Sequence, residues 1–219
     1  MASKAIPLAA VGGALLLARR TMRNLGATKT ECRSVLPGDE LVPDPAVLVT
    51  RAVTVEAPAE QVWQWLIQIG QDRGGFYSYE NLENAFGLDI HNAGRVHPEW
   101  QDLAVGDEVR LAPKGLRGMP DGLALKVAAI VAGESLVLYE EPWSAVWSFH
   151  VHARGPNRCR LLSRSRSPRT RGVSRLAGEL LDPVTLLMTR KMLRGIKARA
   201  EWAHAHPAEA VGPEGAEVS

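Results

Sequence analysis

Residues 50–86, TRAVTVEAPAEQVWQWLIQIGQDRGGFYSYENLENAF, read as a strand, a helix, a glycine break and a second short helix. From Thr50 to Glu56 the bulkier Val53 and Val55 stand apart from Ala52, and the β-branched residues suit a half-buried pleated surface, which predicts a strand. Pro58 fits a first helical position, where its missing N–H leaves nothing unpaired, and Glu60 complements the positive end of the helix. Val62, Trp65, Leu66 and Ile69 then recur at helical spacing, and Gly70 suits the helix end. Gly74 and Gly75 break the chain before Tyr79–Phe86 offers the short second helix.

Downstream, residues 107–112 alternate Val109 and Leu111 with Glu108 and Arg110, which predicts a strand. A glycine- and proline-rich loop, 114–122, leads into a hairpin of residues 123–131 and 135–141 around Gly133 and Glu134. In residues 145–154, Trp147, Phe149 and Val151 share one face, and Ser148, His150 and His152 take the other, which is expected to meet solvent. Residues 158–167 close the sheet, with Arg160, Arg164 and Arg166 on one face. A final helical stretch runs from about Ser174 to His204, where Pro183 predicts either two helices or one kinked helix. Leu181, Val184, Met188, Met192 and Ile196 form its apolar stripe, with Arg190, Arg194 and Lys197 opposite. Strands around a helical insertion, followed by a long helix, predict an α+β domain in which one curved antiparallel sheet wraps that helix.

Several motifs carry a family resemblance. A strand ending in Ala57–Pro58, the VWQWL of residues 62–66, GGFYSYENLEN at 74–84 and DIHNAGRVHPEWQDLAVGD at 89–107 resemble the START-related SRPBCC superfamily, also called polyketide cyclase/dehydrase-like. The similarity extends to Trp202 and covers most of the chain. It implies a helix-grip fold and a cavity, because members bind lipids, sterols or polyketides and some are enzymes.

The domain boundaries read as a hydrophobic N-terminal segment at 1–24, a linker at 25–49 punctuated by Pro37, Gly38, Pro43 and Pro45, the helix-grip domain at 50–204 and a disordered tail at 205–219. Residues 6–18, IPLAAVGGALLLA, are uncharged but shorter than the roughly 17–25 residues of a membrane span. Arg19, Arg20 and Arg23 outweigh Lys4, so insertion of this run would hold the folded body on the cytoplasmic side; without insertion a cytoplasmic location is expected. The formal net charge of +2 hides an uneven distribution: residues 31–141 hold 8 Lys/Arg against 18 Asp/Glu, and residues 142–200 hold 13 against 2. Two segments lying side by side and neutralising one another account for this, as does a basic face turned to anionic lipid. Nucleic-acid binding through Arg160, Arg164, Arg166, Arg169 and Arg171 is the weaker reading, since a solvated strand face and turn explain the same residues. Cys32 and Cys159 make no disulfide framework and no metal spacing.

The expected function is binding or transport of a hydrophobic small molecule or lipid between sheet and helix. Trp65, Phe76, Tyr77, Trp100 and Tyr139 are candidates for the lining. Trp147, Phe149, Met188 and Met192 join them, the methionines being adaptable fillers for an irregular ligand. Plain core packing is the better explanation of any single one of them, and it is the set that points to a cavity. A cofactor-free cyclase or dehydratase is the alternative, with His91, Asp89 or Tyr77 as acid or base. An interaction module with a filled cavity is the third reading. Asp89, His91, His97 and Glu99 have donor types that zinc accepts, but their spacing matches no ligand motif and loop hydrogen bonds account for them, so no metal is expected. No nucleophile elbow, P-loop or dinucleotide fingerprint occurs, and no cofactor is expected. The sequence does not specify an oligomeric state.

Overall fold

The computed structural model describes residues 21–140, 145–168 and 173–207, and of residues 173–183 the backbone alone. The apolar run at 6–18, Arg169 and Arg171, and the tail beyond residue 207 lie outside the described residues. Among the described residues no helix is long and apolar enough to cross a membrane.

A short helix α1 (Lys29–Arg33) and a 3-10 turn (Asp39–Leu41) precede strand β1 (Val47–Val55). Helices α2 (Ala59–Ile67) and α3 (Glu80–Ala85) follow, then a 3-10 turn (Pro98–Trp100). Strands β2 (Glu108–Ala112), β3 (Leu123–Val131), β4 (Ser135–Glu140), β5 (Ala145–Ala153) and β6 (Cys159–Ser167) lead to the final helix α4 (Val173–Ala205). The six strands make one antiparallel sheet in the order β1-β6-β5-β4-β3-β2, in which the first strand pairs the last. With α4 packed on α2 and β1, this is the helix-grip architecture. The elements fall close to their expected bounds. β1 starts three residues early because Val47, Leu48 and Val49 pair with Ser167, Arg166 and Ser165. α4 runs through Pro183 as one helix, selecting the single-helix alternative.

Side-chain alternation gives the sheet two covered faces. On the inner face Val53, Val55, Leu136, Leu138, Phe149, Val151 and Leu161 join Val62, Trp65, Leu66 and Ile69 of the α2 region and Met192, Ile196 and Ala200 of α4 in one apolar cluster. Val184 departs from the expected stripe and is exposed, so the buried part of α4 begins with Thr189 and Met192. The helix is fastened by Lys197 Nζ donating to Thr54 O, by Glu56 N–H donating to the Glu201 carboxylate and by Arg51 Nη1 donating to Thr185 O.

The outer face carries a second layer where the sequence suggested a surface linker. Thr28 and Glu31 form a capping box that starts α1. Leu36 packs on Ala52 and Leu162, and Val42 packs on Val137 and Val146. Arg160 grips both carboxylate oxygens of Glu31 at 2.9 and 2.8 Å. Burial alone would raise the Glu31 pKa, but Arg160 and the Thr28 N–H hold the carboxyl below its usual value. Arg164, only 1% exposed, donates to Asp39 Oδ2 at 2.7 Å, to the carbonyls of Ser34 and Glu31 and to Thr50 Oγ1. Arg166 donates to the carbonyls of Val42 and Pro43 and pairs with the other Asp39 oxygen. The basic row of β6 and the acids of residues 31–39 thus neutralise one another, and its three described arginines are engaged within the fold.

The same layer corrects the expectation for His150 and His152. His150 is buried and His152 half-buried, because residues 34–42 cover the face to which both belong.

Inner-face packing also fixes one glycine. A Cβ on Gly195 of α4 would lie 2.2 Å from the Tyr77 carbonyl oxygen, so only glycine lets helix and loop meet. Gly195→Ala is therefore expected to cost about 1–3 kcal/mol through forced displacement, read as a lower urea midpoint. Gly94→Ala, where an added Cβ meets nothing within 4 Å, is the comparison and should change little. On the outer face, Arg164→Met leaves the Asp39 carboxylate with Arg166 alone and should cost about 3 kcal/mol, while the double change with Asp39→Leu should recover part of the loss.

Candidate functional site

The inner face has two unlike halves. Toward the end where β6 begins, its rows are filled by Val55, Cys159, Val53, Leu161 and Val151, closed over by α4. Toward the other end, β6 presents Ser163, Ser165 and Ser167 on the same alternation, opposite Arg51, Val49 and Val47 of β1, with Phe149 and Trp147 of β5 opposite the first two. Small polar side chains on a concave sheet provide less bulk there than leucine or valine would. The aromatic rings gather at this end. Trp147 lies 4.7 Å from Phe149 and 6.3 Å from Phe76 between ring centroids, and its Nε1–H donates to Ser163 Oγ at 2.9 Å. Trp147 itself is half-buried.

The α3 side of this half is polar. Ser78 Oγ faces the Met188 carbonyl and sulfur at 3.5 and 3.6 Å. Glu83, 3% exposed, is raised in pKa chiefly by burial, against a hydrogen bond from Ser78, and its Oε2 has no hydrogen-bond partner. Glu140, on the inward row with Leu136 and Leu138, is likewise raised by burial. These two acids were not singled out in the sequence. Glu83 sits inside the ENLEN run, where its spacing from the exposed Tyr79 and Leu82 gives no sign of burial. Only the packing of α3 reveals it.

The nine expected lining residues divide. Phe76, Trp147 and Phe149 come together, and Met188, beside Ser78, is half-buried on α4. Trp65, Tyr77 and Met192 are closely packed in the apolar cluster. Tyr139 lies on the opposite face of the sheet, against the Val42–Val137–Val146 cluster, because β4 turns its odd-numbered residues outward. Trp100 lies apart from the aromatic group, stacked on His97 at 4.1 Å in the 3-10 turn. It lines an open hollow of about 330 Å³ with Arg73, Asp102, Asp107 and Glu108. A second open hollow, of about 350 Å³, lies under residues 32–43 against Arg164 and Arg166. Neither lies between helix and sheet.

The three expected acid–base residues do not converge. Tyr77 has a φ of +54°, in the left-handed region that bulky residues avoid. It is held there by Asn92 Oδ1 at its N–H, by Gln68 and Trp65 at its hydroxyl and by Arg199 over its ring. Burial raises its hydroxyl far above the usual phenol range. His91 and Asp89 are mutual partners at 3.2 Å on the surface, each about three-quarters exposed. His97 pairs with Glu99 at 3.0 Å. The four loop residues thus form two separate couples, and among the described residues no group of three His, Cys, Asp or Glu is arranged to hold a metal. Cys159 is buried, with its thiol pushed up to about 11, mainly by burial.

No protein-family model matches this chain, and no curated protein sequence matches it. Among solved structures it is similar to a protein of Thermobifida fusca, with 16% identity, a TM-score of 0.47 and coverage of 70% of this chain and 92% of that one. It is similar to CalC, a self-sacrificing resistance protein of Micromonospora echinospora, with 12% identity, a TM-score of 0.43 and coverage of 74% and 97%. The Aha1 dimer of Colwellia psychrerythraea gives 16% identity, a TM-score of 0.40 and coverage of 71% and 96%. The helix-grip assignment rests on the strand order and the crossing helix, which the chain displays by itself.

The buried histidine of the outer face has a measurable consequence. Burial, then the neighbouring His152 and Arg164, push the His150 imidazole down to about 4, against the pull of Asp39. The unfolded chain takes up this proton near pH 6.5 and the folded chain only near 4, so His150 favours folding above pH 6.5. That contribution, about 3 kcal/mol, is lost as the pH falls from 6.5 toward 4. Urea unfolding of wild type and His150→Gln across this range should show a flatter pH dependence in the variant.

Proposed function

We propose that this chain binds a hydrophobic small molecule or lipid in the aromatic half of its helix grip. The observation that carries the reading is the change in character along the inner face. Close-packed aliphatic rows give way to Ser163, Ser165 and Ser167 beneath the half-buried Trp147, with Phe76 and Phe149 beside it. A site of this kind offers apolar walls with a few polar groups to orient a ligand. Here those groups are the Ser78 hydroxyl and the Glu83 and Glu140 carboxyls, while Met188 can adjust to an irregular shape.

Glu83 also favours a second reading, a cofactor-free enzyme. A carboxyl whose pKa burial raises holds its proton more readily than an exposed one and can donate it, or a hydrogen bond, to a ligand oxygen. Under this reading Glu83 takes the role expected of His91, Asp89 or Tyr77.

Native mass spectrometry of the gently purified chain, followed by organic extraction, tests the binding reading. A bound apolar compound is expected at near one per chain, and its occupancy should fall at least roughly tenfold in Trp147→Ala, whose far-ultraviolet dichroism should stay native. An empty wild-type protein whose melting temperature no lipid or polyketide class raises would overturn the proposal. Glu83→Gln separates the two readings, because the amide still offers a hydrogen bond and should lower occupancy far less than Trp147→Ala, whereas turnover is abolished only if the site is catalytic.

A further inference from the structure

The exposed apolar side chains concentrate around α3. Tyr79, Leu82 and Phe86 share one stripe of that helix and its caps and all are exposed, Phe86 at 71%. α4 passes beside them, with Lys191 Nζ 5.5 Å from the Tyr79 ring centroid. On the same stripe of α4 as Lys191, Val184 and Leu187 are 51% and 46% exposed. The 113–122 loop borders the other end of α3, since a Cβ on Gly87 would come within 3.2 Å of Leu116 Cδ1, and Met119 of that loop is exposed.

Cations surround these side chains. Lys114 and Arg117 on the loop and Arg190, Lys191 and Arg194 on α4 are all exposed. Among acids nearby, Glu80 is engaged by the Asn92 N–H and His91, Asp89 pairs with His91, and Asp121 of the loop is exposed, leaving the cations in excess.

This surface also lies at the aromatic end of the grip. The 113–122 loop joins β2 to β3 at the end of the sheet where β4 finishes at Glu140, β5 starts at Ala145 and β6 finishes at Ser167. Trp147 and Ser165 face inward from that same end.

We infer that this surface docks on an anionic lipid bilayer, with Phe86, Leu82 and Leu187 entering the headgroup boundary and the basic residues of α4 and the loop meeting lipid phosphates and carboxylates. Exposed apolar groups ringed by Lys and Arg match the chemistry of that interface. A second copy of the chain fits less well, because it would bring the same cations face to face. The inference rests on the ligand-site reading, since it makes the bilayer the source or destination of the bound molecule.

The test uses the full chain with Cys32→Ser, leaving the buried Cys159 in place, and an environment-sensitive fluorophore on Phe86→Cys. A label on Val131→Cys, exposed at the opposite end of the sheet, is the reference. Comparing positions separates docking through this surface from attachment through residues 6–18 alone. With phosphatidylcholine–phosphatidylserine vesicles the label at 86 should shift to the blue and the label at 131 should not. Lys191→Gln with Arg194→Gln should weaken vesicle affinity roughly tenfold or more. Absence of vesicle binding, an unchanged label at 86 in vesicle-bound protein, or equal shifts at both positions would each overturn the inference. So would a shift at 86 that grows with protein concentration without vesicles, which marks a second copy as the occupant. Trp147→Ala should lose the extracted compound and keep the vesicle shift, so failure of the ligand site and failure of the docking surface read differently.

Discussion

The buried contact between Arg164 and Asp39 organises more of this molecule than any apolar pair. A guanidinium 1% exposed in the middle of a strand is tolerable only if its donors find acceptors, and here Asp39, the Ser34 and Glu31 carbonyls and Thr50 give each of its three nitrogens a partner. Those acceptors lie in residues 31–39 and β1, so satisfying one side chain of β6 fixes the path of the chain that precedes the sheet. Arg160 on Glu31 and Arg166 on the Val42 and Pro43 carbonyls repeat the arrangement along the same row. The covering layer then buries Leu36 and Val42 and places His150 out of water.

A sheet covered on both faces can divide the work between them. The outer face is closed by ion pairs, hydrogen bonds and two small apolar clusters. The inner face therefore does not have to be aliphatic throughout, and toward the Trp147 end it is not. Ser163 and Ser165 stand where leucine or valine would add bulk, with the Trp147 indole hydrogen-bonded to Ser163, and Arg51 and Glu83 are buried where hydrocarbon would pack more cheaply. Tyr77, strained at φ +54°, sits where α2, the 89–92 loop and α4 meet, with Gly195 allowing the close approach. Its hydroxyl and backbone are engaged by Gln68, Trp65 and Asn92, which makes it a brace between these elements.

Periodicity made the strands and helices readable because each has one face in a core. Val53 with Val55, and Trp147 with Phe149 and Val151, announced their strands by alternation alone. The outer layer was hidden for a physical reason. Polar residues on alternate strand positions look the same in sequence whether they meet water or a charged cover, so His150 and Arg164 carried no sign of burial. The cover did leave a local signal in Thr28 and Glu31, whose spacing is that of a capping box, within a segment whose prolines suggested a linker. The charge split between residues 31–141 and 142–200 pointed to the same contact, but only tertiary structure shows which arginine meets which acid.

The candidate site was legible to the extent that it is aromatic. Phe76, Trp147 and Phe149 meet through strand alternation, which was readable, and through the path of the loop after α2, of which the sequence showed only the glycine break. Tyr139 fell on the wrong face because aromatic character by itself carries no direction; the parity of Leu136 and Leu138 decides it, and that parity places Tyr139 outward. Loop histidines and carboxylates drew attention through their chemistry, yet exposed loops can satisfy such groups pairwise, as His91 with Asp89 and His97 with Glu99 do. Glu83 shows the converse. A carboxyl acquires unusual chemistry when packing removes its water, and that is a property of α3 lying against its neighbours, not of the residues beside it in sequence.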